Sequence, residues 1–195
     1  MESRRATMGD VPALSRVLAR AFFDDPVSSF LFPNEGRRDG ALARFFTIEL
    51  ARLYLSHGAV WASADLDGVA IWALPGQHRP RIAELIAMIP MIPYVIGHPV
   101  RCARTLAALE AKHPPEPHYY LATLGTDPPR QGKGVGSATM APVLEICDTE
   151  GIPAYLESSK EKNVPFYRRH GFEVTEEFPL PSGGPPVWLM WREPR

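Results

Sequence analysis

HYYLATLGTDPPRQGKGVG, residues His118–Gly136, decides the fold. Its opening HYYLATL is rich in aromatic and aliphatic side chains and reads as a buried strand. Pro128 and Pro129 end that pattern, and Gln131-Gly132-Lys133-Gly134-Val135-Gly136 then leads into an amphipathic run to Glu150 that reads as a helix. A strand, a glycine-rich turn and a helix start make an anion site. Backbone N–H groups at the helix start lack internal partners, and the macrodipole adds roughly half a positive charge there. Glycine lets a phosphate approach the main chain with no Cβ in the way.

The nature of that phosphate ligand is narrowed by what is missing. The Walker pattern G-x-x-x-x-G-K-[ST] fails because Gly134 follows Lys133. The dinucleotide pattern G-x-G-x-x-G is nearly met by Gly134-Val135-Gly136-Ser137-Ala138-Thr139, with Glu157 about where a ribose-binding acid would stand. That pattern should follow its strand directly, and here a proline-containing loop intervenes. A plain flexible loop is the remaining reading of the glycines themselves.

Two segments together resemble a known family. Gln131-x-x-Gly134-x-Gly136 is similar to the pyrophosphate-loop pattern [QR]-x-x-G-x-[GA] of the GNAT superfamily of N-acetyltransferases. Asn163-Val-Pro-Phe-Tyr167-Arg-Arg-His-Gly171-Phe172 resembles that superfamily's second signature, shortened by one residue after the asparagine. Within the superfamily, LATLGTDPPRQGKGVGSA and NVPFYRRHGF are most similar to the puromycin N-acetyltransferases, and the likeness extends weakly over most of the chain. The fold implied is α/β (α+β): a mixed central sheet of about seven strands, helices on both faces, and splayed fourth and fifth strands.

The resemblance also implies an activity and a site. The activity is acetyl-CoA-dependent transfer of an acetyl group to a primary amine of a small molecule, an antibiotic among the candidates. The pantetheine arm would run between strands 119–125 and 153–157, bonded by the backbones of Leu124 and Thr126 beside Gly125. Gln131, Gly132, Lys133, Gly134, Val135, Gly136 and Ser137 would hold the pyrophosphate, with Asn163 and Phe166 along the arm. Tyr167 matches the tyrosine that protonates the leaving sulfur. A phenol near pKa 10 donates uphill to a thiol near 8.5 by roughly 2 kcal/mol, so a hydrogen bond that matures into transfer suits it. An alternative class is a non-catalytic acyl-CoA sensor that keeps the loop without the chemistry.

The base is less evident. Some superfamily members carry a glutamate on the fourth strand, where this chain has His118, Tyr119 and Tyr120. Glu157 is the nearest carboxylate, acting directly or through a water; a strand-end salt bridge is its structural alternative. Water held by Tyr120 or by the strand backbone is the other route for the amine's proton. Arg130, Lys133 and Arg168 suit phosphate neutralisation, whereas Arg169 reads as a solvated surface charge.

Composition sets the outer limits. A chain of 195 residues with 45% apolar and 22% charged residues suits one domain over 1–195. A net charge of −1 gives no reason to expect nucleic acid as a partner. Cys102 and Cys147 read as reduced packing residues, hence a cytoplasmic protein. The histidines at 57, 78, 98, 113, 118 and 170 make no ligand pair at i, i+3 or i+4, so no metal is expected. The start, Met-Glu-Ser-Arg-Arg, has no apolar run behind it and does not read as a signal peptide.

In chain order, Ser3–Met8 reads as a short strand, and Asp10 as the cap of a helix to about Phe22. The segment Phe22–Pro33, FFDDPVSSFLFP, is too apolar for an ordinary loop. It reads as a wall of the acceptor pocket, through Phe22, Phe23, Asp25 and Phe30 with Tyr120 opposite, or as core packing; Asp24 and Asp25 also suit a turn. A second helix is expected over 39–55, then a hairpin of 59–63 and 69–74. Ile82–Val100 is the most hydrophobic stretch, but Glu84, Pro90, Pro93 and Pro99 leave less than the ~18 unbroken residues a membrane span needs. With Arg101–Lys112 it reads as a broken helical insert, about 80–112, that lines the acceptor pocket, forms a homodimer interface or fills core. The helix after the glycine turn should send Val135, Ala138, Ala141, Leu144, Ile146 and Cys147 to the sheet. Lys160–Asn163 reads as loop, 164–170 as a short helix, and 172–178 with 187–191 as a closing antiparallel pair.

Overall fold

The computed structural model describes residues 2–56, 59–77 and 82–195. His57 and His78, and the first residues of the apolar insert, lie outside them.

Continuous apolar runs build the middle of the sheet. Strands β1 (Ser3–Arg5), β2 (Ala59–Ser63), β3 (Gly68–Ala73), β4 (Tyr119–Thr126), β5 (Ala154–Ser158), β6 (Glu173–Pro179) and β7 (Pro186–Arg192) form one seven-stranded sheet in the order β1-β2-β3-β4-β5-β7-β6. Every residue of β3 is buried, as expected for a strand covered on both faces. All pairings are antiparallel except β4 with β5.

That parallel pairing is brief. Tyr119 faces Ala154 and Tyr120 faces Tyr155, after which no register continues although β4 runs on to Thr126 and β5 to Ser158. The expected splay between the fourth and fifth strands is present, and it opens a gap in the sheet's centre.

Helices cover both faces. On one, α1 (Val11–Ala21) and α3 (Glu35–Ile48) bury Leu14, Leu18, Leu42 and Phe46 against Val60, Ala62, Val69 and Ile71. On the other, α7 (Val135–Glu150) packs Met140, Val143, Leu144 and Cys147 against Trp72, Leu121, Leu156 and Met190. Its buried stripe is Val135, Thr139, Met140, Val143, Leu144 and Cys147. Ala138, Ala141 and Ile146, expected at the sheet, are only half-buried because the stripe is turned toward Thr139 and Met140. Pro142 lies inside α7, and Gly151 closes it at φ 66°.

Several boundaries differ from the sequence reading. Asp10 does not cap α1 with its side chain. A 3₁₀ turn, Met8–Asp10, precedes the helix, and the carboxylate turns back to accept from the Thr7 amide at 2.8 Å and from Arg4. The second long helix begins at Glu35 rather than 39, and its last turn, Glu49–Tyr54, widens to π geometry. Residues 22–33 hold a helix of their own, α2 (Pro26–Leu31). Glu161–Asn163 is a 3₁₀ turn leading into α8 (Val164–Arg169) rather than open loop.

The insert fills core only in part: Met91 and Thr105 are buried, and Leu109 packs against Tyr155, Leu180, Val187 and Leu189, but much of its apolar surface is exposed. It comprises α4 (Ile82–Ala87), a 3₁₀ turn at Ile89–Met91, α5 (Ile92–Val95) and α6 (Pro99–Glu110). Prolines keep these helices short, so no long apolar face can form. Ile82 is 78% and Ile96 70% exposed, and Leu85, Ile86, Ile89, Ile92, Val100 and Leu106 are exposed as well. Among the described residues, no helix is long and apolar enough to cross a membrane.

Candidate active site

The splay is the upper end of a cleft of about 470 Å³ that continues to the glycine turn. Leu121–Thr126 form one wall and Leu156–Lys160 the other. Gln131, Gly132, Gly134, Val135, Gly136 and Ser137 close the far end, and Asn163, Phe166 and Tyr167 come up from α8. Of the residues predicted to hold the ligand's arm and phosphates, Lys133 is the exception: it is exposed and lies off the cleft.

The turn fits an anion on local grounds. Gly132 and Gly134 have φ of 74° and 84°, a region that costs an L-residue roughly 1 kcal/mol or more. A Cβ at either position would meet nothing within 4 Å, so the turn encloses open space. The start of α7, a 16-residue helix, points its amides toward that space. Gly136 is tighter: a Cβ there would lie 3.3 Å from Phe166. That contact brings α8 against the helix start and fixes the width of the cleft.

The cations around this end differ from those expected. Arg130 lines the cleft but is held by Asp67, Nε to Oδ2 at 2.5 Å, with Asp65 at 3.7 Å. Arg168 is exposed, 4.0 Å from Glu173, and off the cleft. Arg169, read as surface charge, lines the cleft and lies 5.8 Å from the centre of the Phe166 ring. Lys160 and Lys162 also line it. Sequence reasoning passed over both because a short polar run between strand and helix carries no sign of which way it faces.

Tyr167 is buried among Phe166 and Phe172, at ring-centroid distances of 5.2 and 6.1 Å, and still borders the cleft. Burial pushes its phenol pKa up, and the nearby Asp25 carboxylate adds to the effect. The hydroxyl therefore stays protonated at neutral pH and is a donor in waiting.

Glu157 borders the cleft on β5, but its carboxylate is turned into an aromatic box. Tyr120 Oη donates to Oε2 at 2.7 Å, and His113 Nε2 lies 3.6 Å from Oε1. Burial pushes its pKa up to about 7, while the hydrogen bond from Tyr120 pulls the other way. The same box pushes the Tyr120 phenol well up, through burial and the carboxylate beside it.

The expected acceptor residues divide. Phe22 and Asp25 border the cleft. Phe23 instead packs under the Arg38 guanidinium, and Phe30 lies beneath Arg101 and against Gly184. Neither lines the cleft. Tyr120 bonds Glu157 and is off the cleft wall. Asp25 is buried and structurally committed. Oδ1 accepts from the Val27 and Ser28 amides at 3.0 Å, capping α2, and Oδ2 accepts from the Ser159 hydroxyl. The carboxylate thus ties α2 to the end of β5, which a reading of Asp-Asp-Pro as a turn misses.

One buried acid escaped the sequence reading altogether. Glu49, on the π turn after α3, reaches Thr123 of β4, whose hydroxyl donates to Oε1 at 2.8 Å. Thr123 is itself a cleft residue. Among the described residues, no group of three or more His, Cys, Asp or Glu side chains is arranged to hold a metal.

Residues 83–172, which span the insert, β4, the glycine turn, α7, β5 and α8, match the acetyltransferase (GNAT) family. An N-acetyltransferase of Schizosaccharomyces pombe, itself uncharacterized, is 27% identical over 208 aligned residues, covering 100% of this chain and 84% of that protein. Over this region the chain is similar to GNAT acyltransferases. The GNAT fold extends over the whole chain. The crystal structure of a histone acetyltransferase HPA2 and related acetyltransferase from Corynebacterium glutamicum superposes with TM-score 0.77 at 24% identity, covering 100% of this chain and 96% of that one. The PaiA N-acetyltransferase from Thermoplasma acidophilum, solved in complex with coenzyme A, shares the fold at TM-score 0.56 and 12% identity, over 98% of both chains.

Proposed function

We propose that the chain is a GNAT enzyme that transfers an acetyl group from acetyl-CoA to the primary amine of a small molecule, by direct attack on the thioester. The observation that carries the reading is the short β4–β5 pairing, which opens a gap between the glycine turn and Tyr167. Acetyl-CoA supplies the acyl group as a thioester, already activated for attack by a neutral amine.

Each part of the cleft has a task on this reading. The amides from Gly132 to Ser137 hold the pyrophosphate, with Lys160, Lys162 and Arg169 as the available cations. Main-chain groups of Leu124 and Thr126, left without a β5 partner, bond the arm's amides. Asn163 and Phe166 hold the arm's other side. Tyr167 donates its proton to the departing sulfur. Glu157, reached through a water or the Tyr120 hydroxyl because its carboxylate faces the box, takes the proton that the amine must shed. The whole chain acts as one domain on this reading, and the exposed insert is its homodimer face.

Puromycin is the first amine to assay, because the two signature segments resemble the enzymes that acetylate it; tyramine, spermidine and a tripeptide with a free amino terminus widen the panel. Calorimetry with acetyl-CoA should show binding, and thiol release should depend on the amine. Tyr167→Phe should lower kcat by about 100-fold or more with the KM for acetyl-CoA little changed. Equal rates in variant and parent would remove Tyr167 from the chemistry, and tight binding without turnover across the panel would refute acetyl transfer to small amines.

A further inference from the structure

The insert that precedes β4 delivers a histidine to Glu157. After α6, the chain turns through His113 and re-enters the sheet at Tyr119. His113 sits edge-on to Tyr120 at 4.5 Å between centroids and to Tyr155 at 5.2 Å, and stacks on His118 at 5.8 Å. Its Nε2 faces Glu157 Oε1, and both side chains are only 8% exposed. The other carboxylate oxygen is taken by Tyr120.

We infer that His113 and Glu157 form a proton-sharing couple, in which His113 takes from Glu157 the proton removed from the acceptor and holds it until the products leave. The inference rests on Glu157 serving as the base. In the first step an N–H bond of the acceptor ammonium breaks and, by way of a water or the Tyr120 hydroxyl, an O–H bond forms on Glu157. In the second that O–H breaks and an N–H forms at His113 Nε2. When the products leave, the proton returns through Glu157, which borders the cleft, to water there, and carboxylate and imidazole are restored. No electrons change hands, and one proton leaves per amine neutralised.

Geometry and chemistry both select His113 for this task. Tyr120 donates to the carboxylate, but a phenol cannot carry a proton away without first replacing its own. An imidazole exchanges protons near neutral pH, where the Glu157 carboxyl also titrates. The 3.6 Å separation exceeds hydrogen-bond length by about half an ångström, a gap that charge on the imidazole would help to close. The surrounding charges are few. Glu110 of α6 and the Tyr155 phenol act on Glu157 directly, and Glu176, bonded to Lys112 at 2.6 Å, acts on Tyr155. Tyr54, after α3, acts on Tyr120, and His118 lies behind His113. His113 is therefore a positioning residue acting through Glu157.

Histidine ring nitrogens of the full-length protein, followed by NMR from pH 5 to 9, read the couple without any acceptor. In Glu157→Gln, which keeps the shape, the His113 midpoint should fall by about one pH unit, a tenfold change in proton affinity, because its anionic neighbour is gone. An unchanged midpoint overturns the couple. With whichever amine of the panel turns over, His113→Gln should lower kcat about tenfold and move the acid limb of its pH profile upward, with the KM for acetyl-CoA within twofold. A parental rate and profile in His113→Gln overturns the relay, and if Glu157→Gln is slow in the same assay the base survives without it. A parental rate in Glu157→Gln instead removes Glu157 as base and the relay with it, while the titration still shows whether the two groups share a proton.

Discussion

Thr123 and Glu49 meet beneath the cleft, hydroxyl to carboxylate at 2.8 Å, on the only turn of α3 and its extension that widens to π geometry among the described residues. The second oxygen of Glu49 has no hydrogen-bond partner among the described residues, and burial pushes the carboxyl pKa up to about 7. Folding therefore favours the protonated acid. The stability it contributes is complete below the unfolded value near 4.5 and is lost as pH rises toward 7. Glu157 acts in the same direction over the same window. Asp10, Asp67 and Asp148 are shifted downward, so they stay ionised throughout it. The melting temperature should fall between about pH 4.5 and 7, and Glu49→Gln should flatten that slope and melt higher than the parent at pH 8. A parental slope in the variant would show that Glu49 is not the group whose titration sets it.

Calorimetry can test the glycine turn residue by residue. Gly132→Ala and Gly134→Ala place a Cβ in open space, so no clash arises, but each demands a left-handed backbone from an L-residue. The cost is about 1 kcal/mol per site. Relaxation of the turn to escape that strain should weaken acetyl-CoA binding by about fivefold or more. Alanine at Gly76, also at positive φ in open space but far from the cleft in sequence, should leave binding unchanged.

Gly125 is needed for a different reason, the close approach of β4 to α1. A Cβ there would lie 2.4 Å from Leu18 Cδ2 and 3.3 Å from Phe22. Gly125→Ala should destabilise by about 1–3 kcal/mol through overpacking. Adding Leu18→Ala should recover part of that loss, because the shortened side chain vacates the clash. Chemical denaturation of the single and double variants measures the coupling.

Arg192 joins the closing strand to two helices. Nη2 pairs with Asp148 of α7 at 2.8 Å and Nε donates to the His170 carbonyl at 2.9 Å, with the arginine nearly sealed from solvent. Removing the carboxylate would strand a buried cation. Asp148 itself is 30% exposed, so solvent screens part of the pair. Asp148→Ala should cost roughly 2 kcal/mol, less than a fully buried pair. Denaturant midpoints at neutral pH would show it.

The legible parts of the chain are those written in local pattern. The β2–β3 hairpin, the strand before the glycine turn, Gly151 as a helix stop and Pro165 in the first turn of α8 each follow from a few adjacent residues. The six-residue α2 escaped because its stability depends on one capping carboxylate, Asp25, whose second oxygen is held by a residue more than a hundred positions away. The apolar insert misled for the opposite reason: hydrophobicity usually signals burial, but its prolines prevent a continuous face and its isoleucines are left outside. Glu49 and His113 look ordinary in sequence. What makes them candidates is the distance each closes to a strand residue far along the chain, to Thr123 and to Glu157.

Because β4 and β5 part after two facing pairs, the sheet has a seam within it as well as two rims. Peptide groups along that seam lack the ladder partner that shields amides elsewhere in a seven-stranded sheet, and they border the cleft instead. Deuterium should enter there about as readily as at an outer strand, and the rate should drop when coenzyme A occupies the seam.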